Sequence, residues 1–167
     1  MVFILDATDF ANYPFNYEFQ GNEAKRFIEN VINFTESFIY NLLGVTLAKD
    51  YISQLTPLPS LQVSTLPHYI TIHNDIKEFV KRRTFVKAYL TTYFYVGNIG
   101  GTNETNPNDK MLLERSLHNE SVLIGCNIRK YIIDNKNLYP SFCECEWKDF
   151  ADYNGLYSIY NNIYKCK

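Results

Sequence analysis

The chain has 167 residues, of which 46% are hydrophobic, so one domain can bury its own core without disulfide staples. A formal net charge of −2 argues against a dedicated nucleic-acid binder, which carries a strong basic excess. No run reaches the roughly 18 apolar residues that span a bilayer, and the first residues lack the basic segment of a signal peptide. We therefore expect a cytoplasmic protein with reduced thiols at Cys126, Cys143, Cys145 and Cys166.

Residues 1–21 predict an irregular N-terminal arm. Residues 2–5 are apolar and could form a short strand or attach to a neighbouring subunit. Tyr13-Pro14-Phe15 favours extended backbone, because a proline restricts the residue before it. Phe3, Tyr13 and Phe15 are therefore candidate contacts with a partner molecule.

Residues 22–54 predict a long amphipathic helix, a glycine stop and a short second helix. Asn22 is a favourable N-cap for the first helix. Gly44 stands where a residue with positive φ would close that helix, and the second helix ends before Pro57 and Pro59. The apolar residues of the first helix follow a period close to 3.6: Phe27, Ile28, Val31, Ile32, Phe34, Phe38, Ile39, Leu42 and Leu43.

Two more long helices follow. Residues 60–66 are interpreted as a linker, and Pro67 suits the first turn of a helix running to about residue 95, with Asn74 as an alternative cap. Residues 97–108, rich in Gly, Asn and Thr, predict a loop. Asn106 and Pro107 then start a helix that runs to about residue 135 and has the clearest apolar stripe of the chain: Leu113, Leu117, Ser121, Ile124, Ile128, Tyr131 and Ile132.

The tail is rich in tyrosine. It is interpreted as an amphipathic C-terminal helix, although Gly155 weakens such a helix by about 1 kcal/mol relative to Ala. The alternative is a strand or loop packed on the core. Either form implies a partner surface, whose candidate contacts recur at helical spacing: Tyr153, Tyr157, Tyr160 and Tyr164. The predicted fold is mainly α, a single small helical bundle with an arm (1–21), a helical core (22–140) and a C-terminal extension (141–167).

The aromatic content has two explanations. Aromatic residues make up 16% of the chain, with 14 Tyr and 12 Phe. Tyrosine combines apolar area with a polar group, which suits surfaces that become buried when partners meet. AT-rich codons explain the same bias equally well.

No motif in the sequence assembles a catalytic or metal site. Cys143-x-Cys145 provides one short pair, whereas structural zinc sites join two C-x₂₋₄-C knuckles, so inert thiols are favoured over zinc. His68 and His73 are five residues apart and do not share a helical face, and His118 stands alone. We predict that the protein is not an enzyme and holds no cofactor.

One basic run is conspicuous on the helix that begins near Pro67. Lys81, Arg82 and Arg83, with Lys77 and Lys87 on either side, are candidates to face DNA or an acidic neighbour. The simpler interpretation is that these long side chains lie on the solvent-facing side of an amphipathic helix and keep their charged ends in water. An acidic surface around Trp147 could complement the run, and it contains Glu144, Glu146, Asp149 and Asp152.

Three stretches together give the chain a family resemblance. They are Phe27-Ile28 to Leu47 with its helix–Gly–helix pattern, the aromatic run Tyr89 to Tyr95, and Asn127 to Asn135 followed by Tyr139-Pro140. In this pattern the chain resembles the small helical head–tail connector (adaptor) proteins of tailed bacteriophages, as in phages of Bacteroidetes and the crAss-like group.

The resemblance implies a structural virion protein. It implies a homo-oligomeric ring, typically dodecameric, that joins the portal protein at the capsid vertex to other neck and tail proteins. Such a ring forms part of a channel through which double-stranded DNA passes without being read. The location implied is the head–tail junction of the virion, with the host cytoplasm as the site of assembly and no membrane partner.

Other interpretations stay open at the level of sequence. Another neck or tail-completion protein of similar helical build would show nearly the same pattern. A helical enzyme or small-molecule-binding protein would draw on His68, His73, His118 or the cysteines. A zinc-stabilised helical regulator would use Cys143 and Cys145.

Overall fold

The computed structural model describes residues 4–5, 7–10, 34–57, 62–64, 67–96 and 107–147. In these ranges the chain is mainly α, which confirms the predicted fold class. Its helices are α1 (residues 34–43), α2 (Val45–Ser53), α3 (Pro67–Val96) and α4 (Pro107–Asp134). Two short strands, β1 (Leu55–Pro57) and β2 (Gln62–Ser64), lie between α2 and α3, and 3₁₀ turns span Ala7–Phe10, Lys136–Leu138 and Glu144–Glu146.

Proline and glycine set the helix boundaries. Pro67 and Pro107 are the first residues of α3 and α4, as predicted, because a first-turn N–H has no intrahelical partner and its loss is tolerated. Gly44 separates α1 from α2 with φ +84°, a value that favours glycine. The starting point predicted for the first helix, Asn22, lies outside the described residues.

The strand pair corrects one prediction. Residues 60–66 are not simply a linker, since β2 pairs antiparallel with β1 in the register Leu55–Ser64, Thr56–Val63 and Pro57–Gln62. The ladder satisfies backbone groups that a linker would leave to water. Leu55 is buried and anchors the pair to the core.

The core forms where α3 and α4 pack along each other and α1 and α2 close over them. On α3 the buried positions include residues of the predicted stripe, namely Ile72, Ile76, Phe79, Val80 and Val86. On α4 they include Leu117, Ser121, Ile128 and Ile132. Lys87 of α3 lies with its Nζ 4.1 Å from the ring centre of Phe34 on α1, which adds a cation–π contact between these helices.

Part of the predicted arm belongs to this core. Ile4, Leu5 and Phe10 are buried, and the Phe10 ring stacks on Phe85 with centres 6.0 Å apart. Asp9 forms an ion pair of 2.8 Å with Lys77 of α3. Residues 4–5 and 7–10 thus pack on their own chain, because burying these apolar side chains removes them from water without a partner molecule.

The segment after α4 also returns to the core. Tyr139 is 1% exposed, and Phe142 and Trp147 pack against the buried cluster with ring centres 4.8 Å apart. The sequence places residues 141–147 in an extension, whereas the structure places them against α1 and α2.

Candidate functional site

The basic run on α3 is used in contacts within the chain. Arg82 donates from Nε to Glu120 of α4 at 2.9 Å and also pairs with Glu78, while Lys81 pairs with Glu78 as well. The side chains of Lys81 and Arg82 are only 14% and 15% exposed. Partial burial opposes ionisation of Glu78, but the hydrogen bonds from Lys81 and Arg82 lower its pKa. These two cations are therefore largely neutralised by carboxylates.

Arg83 lies on the buried side of α3. It is 7% exposed, its guanidinium carbon lies 5.5 Å from the ring centre of Phe79, and Nη1 lies 3.4 Å from Nδ1 of His118. The interpretation of Arg83 as a charged stem on the water side is wrong, because α4 covers that face of α3. Burial, followed by the charge of Arg83, lowers the pKa of His118 to about 4.

The aromatic residues predicted to contact partners lie outside the described residues. This holds for both groups, the arm and the tail: Phe3, Tyr13, Phe15, Tyr153, Tyr157, Tyr160 and Tyr164.

A polar aromatic cluster lies where α2, the start of α3 and the segment after α4 meet. The hydroxyl of Tyr51 is 2.7 Å from Nδ1 of His73, and both side chains are buried. Burial lowers the pKa of His73, with the charge of Lys77 adding to the effect. The His73 ring therefore stays neutral at neutral pH and serves as a hydrogen-bond partner in the core.

Asp50 is the centre of the same cluster. Its Oδ2 accepts hydrogen bonds from the hydroxyls of Tyr69 and Ser141, the latter at 3.1 Å. Tyr139 donates to the backbone carbonyl of His68 at 2.8 Å. Burial, with a smaller contribution from Tyr131, raises the pKa of Tyr139 to about 12, so its phenol stays protonated and acts as a donor. The cluster therefore joins three segments through hydrogen bonds.

A second set of polar contacts surrounds Gly44. Arg129 of α4 donates from Nε to the carbonyl of Leu42 at 3.0 Å and from Nη2 to that of Asn41 at 2.8 Å. Trp147 donates from its indole N–H to the carbonyl of Leu43 at 2.9 Å. The last carbonyls of a helix have no intrahelical donors, so these two side chains satisfy the C-terminal end of α1.

Glu146 provides an acceptor for the N-terminal end of α2. Its carboxylate accepts the backbone N–H of Thr46 at 2.6 Å and the hydroxyl of the same residue. The side-chain and backbone hydrogen bonds from Thr46 lower the pKa of Glu146. A carboxylate at a helix N-terminus also interacts favourably with the helix dipole. We call Arg129, Glu146 and Trp147 together the junction cluster.

The cysteines differ from the sequence prediction. Cys143 and Cys145 form a disulfide, and Cys126 is disulfide-bonded as well, so the expectation of reduced thiols at these positions is wrong. In this disulfide form, the two sulfurs are bonded to each other and provide no thiolates, which are the donors that the zinc interpretation requires. Among the described residues, no group of three or more His, Cys, Asp or Glu side chains could hold a metal ion.

One side of α4 presents apolar residues to the surroundings. Leu112 and Leu123 are 57% and 55% exposed, and they are 11 residues apart, which is close to three helical turns. Asn119 and Asn127 are exposed on the same side. We call these four residues the lateral face of α4. Lys130 and Asp134 are exposed on this side as well, where they form an ion pair of 3.1 Å. Exposed leucines among polar and charged residues are compatible with a surface that packs against a protein.

The comparisons with known proteins give no relative. No family model, curated protein or solved structure matches the chain. In the described part of the chain, none of the helices combines the length and apolar character required to cross a membrane.

The sequence did not predict the junction cluster, nor the polar aromatic cluster around Asp50. One signal was present for Arg129, which follows Ile128 directly in the buried stripe of α4, where a charged residue needs a partner. Glu146 and Trp147 carry no comparable signal, since their partners lie about a hundred residues away in the chain.

Proposed function

We propose that this protein is a structural subunit of the neck of a tailed bacteriophage, a head–tail connector that forms a homo-oligomeric, dodecameric ring. The ring would sit between the portal protein and the other neck and tail proteins, in the virion, after assembly in the host cytoplasm. Double-stranded DNA would pass through its channel without sequence-specific contacts.

The observation that carries this proposal is the lateral face of α4. Leu112 and Leu123 are more than half exposed on a helix whose other side is fixed to α3. A ring subunit needs such a surface, since each copy must bury one side against the next. We assign the lateral face to contact between copies of this chain.

A rigid core supports the same proposal. Two of the stretches that resemble connector proteins contact one another, because Arg129 of α4 donates to the carbonyls of Leu42 and Asn41 at the end of α1. A subunit that transmits force between capsid and tail benefits from helices fixed at their ends.

The charge distribution suits a conduit. Lys81 and Arg82 are paired with carboxylates, and the chain has a net charge of −2. Free cations along a channel would bind DNA phosphates with release of counterions and so retard passage. Channel-facing and portal-facing roles would therefore require rearranged ion pairs at Lys81 and Arg82 and exposure of the buried Arg83.

The test is quantitative mass spectrometry of particles. Virions purified by density gradient from cells that produce the protein should contain it in a fixed ratio to the portal protein, and cross-links should join the two. A cytosolic host enzyme, measured in the same fractions, reports carry-over. Absence from particles, or a ratio that follows the host enzyme, would refute the connector assignment.

The same particles separate the connector from other neck proteins. A connector should cross-link directly to the portal protein, whereas a tail-completion protein should cross-link to tail components only. Cross-links to tail components only would still support a structural role in the virion, but they would refute the proposed position next to the portal protein.

A further inference from the structure

The disulfide Cys143–Cys145 joins two residues that are separated by a single residue, and it lies at the surface. The sequence separation is 2, and the Cα atoms are 5.3 Å apart. Cys145 is exposed and Cys143 is partly buried. Cys145 is therefore the more accessible of the two residues to a small thiol in solvent.

The disulfide and the junction cluster share one turn of backbone. The N–H of Glu146 donates to the carbonyl of Cys143 at 3.1 Å, and the N–H of Trp147 donates to the carbonyl of Glu144 at 3.1 Å. The disulfide joins Cys143, the N-cap residue of the 3₁₀ turn Glu144–Glu146, to Cys145 in the middle of that turn. The same turn directs the Glu146 carboxylate to Thr46 and the indole of Trp147 to the carbonyl of Leu43.

We propose that Cys143 and Cys145 form a thiol–disulfide exchange site whose redox state controls the junction cluster. In the disulfide form, the short covalent ring restricts the turn, and Glu146 and Trp147 hold the ends of α1 and α2. In the dithiol form, the turn gains conformational freedom, and both contacts weaken. The partner is a soluble dithiol or another protein with a reactive thiol pair.

The thiol–disulfide exchange proceeds in two steps that conserve electrons and protons. A thiolate of the external dithiol attacks Sγ of Cys145, forms a mixed disulfide and expels the thiolate of Cys143, which takes up a proton. The second thiol of the reagent then attacks its own sulfur in the mixed disulfide and releases Cys145 as a thiol. Two electrons and two protons pass to the protein, and the reagent leaves as its cyclic disulfide.

The difference in redox conditions between the cytosol and the outside of the cell would give the exchange site a function. Cytosolic thiol systems keep cysteines reduced, whereas disulfides persist in oxidising surroundings outside the cell. This use rests on the proposed function, in which the chain leaves the cell in a particle: the junction would be looser before release and more rigid after it. The exchange site does not depend on the proposed ring, because the disulfide and the junction cluster belong to a single chain.

Trp147 is the single tryptophan of the chain and reports on its own contact. The experiment uses the purified protein in buffers of reduced and oxidised dithiothreitol at stepped ratios. Alkylation and peptide mass spectrometry follow Cys143 and Cys145 separately from Cys126, while tryptophan emission is recorded in parallel. We expect Cys143–Cys145 to open with a red shift of the emission and increased quenching by acrylamide, both reversed on reoxidation.

Two variants isolate the site. In C126S/C166S, Cys143 and Cys145 are the remaining cysteines, and the emission shift should persist. In C143S/C145S, the emission should resemble that of the reduced protein and should not respond to the redox buffer. If the double serine background fails to fold, peptide mapping of the wild-type chain still assigns each pair.

Either of two results would overturn the proposal. One is a Cys143–Cys145 pair that stays oxidised, or stays reduced, at every dithiothreitol ratio. The other is a pair that opens while the emission and quenching of Trp147 do not change. Loss of ring assembly with an intact redox response would count against the proposed function alone.

Discussion

The guanidinium carbon of Arg129 lies 4.8 Å from the ring centre of Trp147, and both side chains donate to carbonyls in the last turn of α1. Arg129 comes from the buried side of α4 and Trp147 from the segment that follows it. The cation–π contact holds the two donors side by side. Helix α4 and the segment that follows it therefore both meet the end of α1, which lies far from them in the chain.

Removing the donors of Arg129 should destabilise the fold. In R129M, the buried carbonyl of Leu42 and the partly buried carbonyl of Asn41 lose their partners, and an unsatisfied buried group costs about 1–3 kcal/mol. We expect the free energy of unfolding to fall by about 2–3 kcal/mol, since some packing volume is retained. Urea denaturation followed by circular dichroism at neutral pH measures the change.

The neighbouring residue provides the control for this loss. Lys130 is 74% exposed and pairs with Asp134 on the surface of the same helix, so K130M should change stability by no more than about 0.5 kcal/mol. Equal effects of R129M and K130M would show that Arg129 does not support the end of α1.

Gly44 should not tolerate a side chain. Its φ of +84° lies in a region that L-residues rarely adopt, and a Cβ there would be 2.9 Å from Cβ of Glu146. Backbone strain of this kind costs about 1–3 kcal/mol, and the close approach adds to it. We expect G44A to lower the unfolding free energy by about 2–4 kcal/mol in urea denaturation.

A double-mutant cycle separates the two causes of that loss. In the E146G background, the steric part of the G44A effect should disappear and the part due to φ should remain. An unchanged effect of G44A in both backgrounds would assign the whole cost to the backbone. No effect in either would contradict the junction geometry.

His118 should make the protein less stable in mild acid. Burial and Arg83 lower its pKa to about 4 in the fold, from an ordinary value of 6.5. Between these two pH values the unfolded chain binds the proton and the folded chain does not, so stability falls as the pH is lowered. After discounting for solvent screening, we expect a loss of roughly 1–2 kcal/mol between pH 7 and 5.

The comparison with H118Q isolates that contribution. Urea denaturation at pH 7, 6 and 5 should show a smaller slope for H118Q than for the wild type, while His73, whose pKa is also lowered, contributes equally to both. Staying at or above pH 5 limits the protonation of carboxylates such as Glu78. Parallel slopes would show that His118 is accessible to protons in the fold.

Local sequence signals predicted where the helices begin and end, but they did not predict contacts between residues that are distant in the chain. Pro67 and Pro107 mark the starts of α3 and α4, and Gly44 marks the break after α1, because each acts through its own backbone. The strands β1 and β2 have three residues each, too few for an alternating pattern to be recognised.

Burial of charged residues was harder to predict than helix position. Residues 83–86 of α3 are all buried, so Arg83 belongs to a part of the helix that is covered from several sides. A sequence pattern with a single apolar stripe predicts that such a residue faces water. Arg129 reaches a carbonyl 87 residues earlier in the chain, and a contact over that distance leaves no periodic trace in the sequence. The candidate site therefore emerged from the structure.

The lateral face of α4 gives the last prediction, which concerns self-association. In L123E, a charge replaces an apolar side chain that is 55% exposed, so copies that bury this position must desolvate a carboxylate. Sedimentation velocity over a concentration series should show oligomers for the wild type and monomers for L123E, with little change in the unfolding temperature. I70E is the matched control, because Ile70 is 49% exposed at the start of α3 and receives the same substitution. Oligomers that survive L123E but dissociate in I70E would move the contact from α4 to α3.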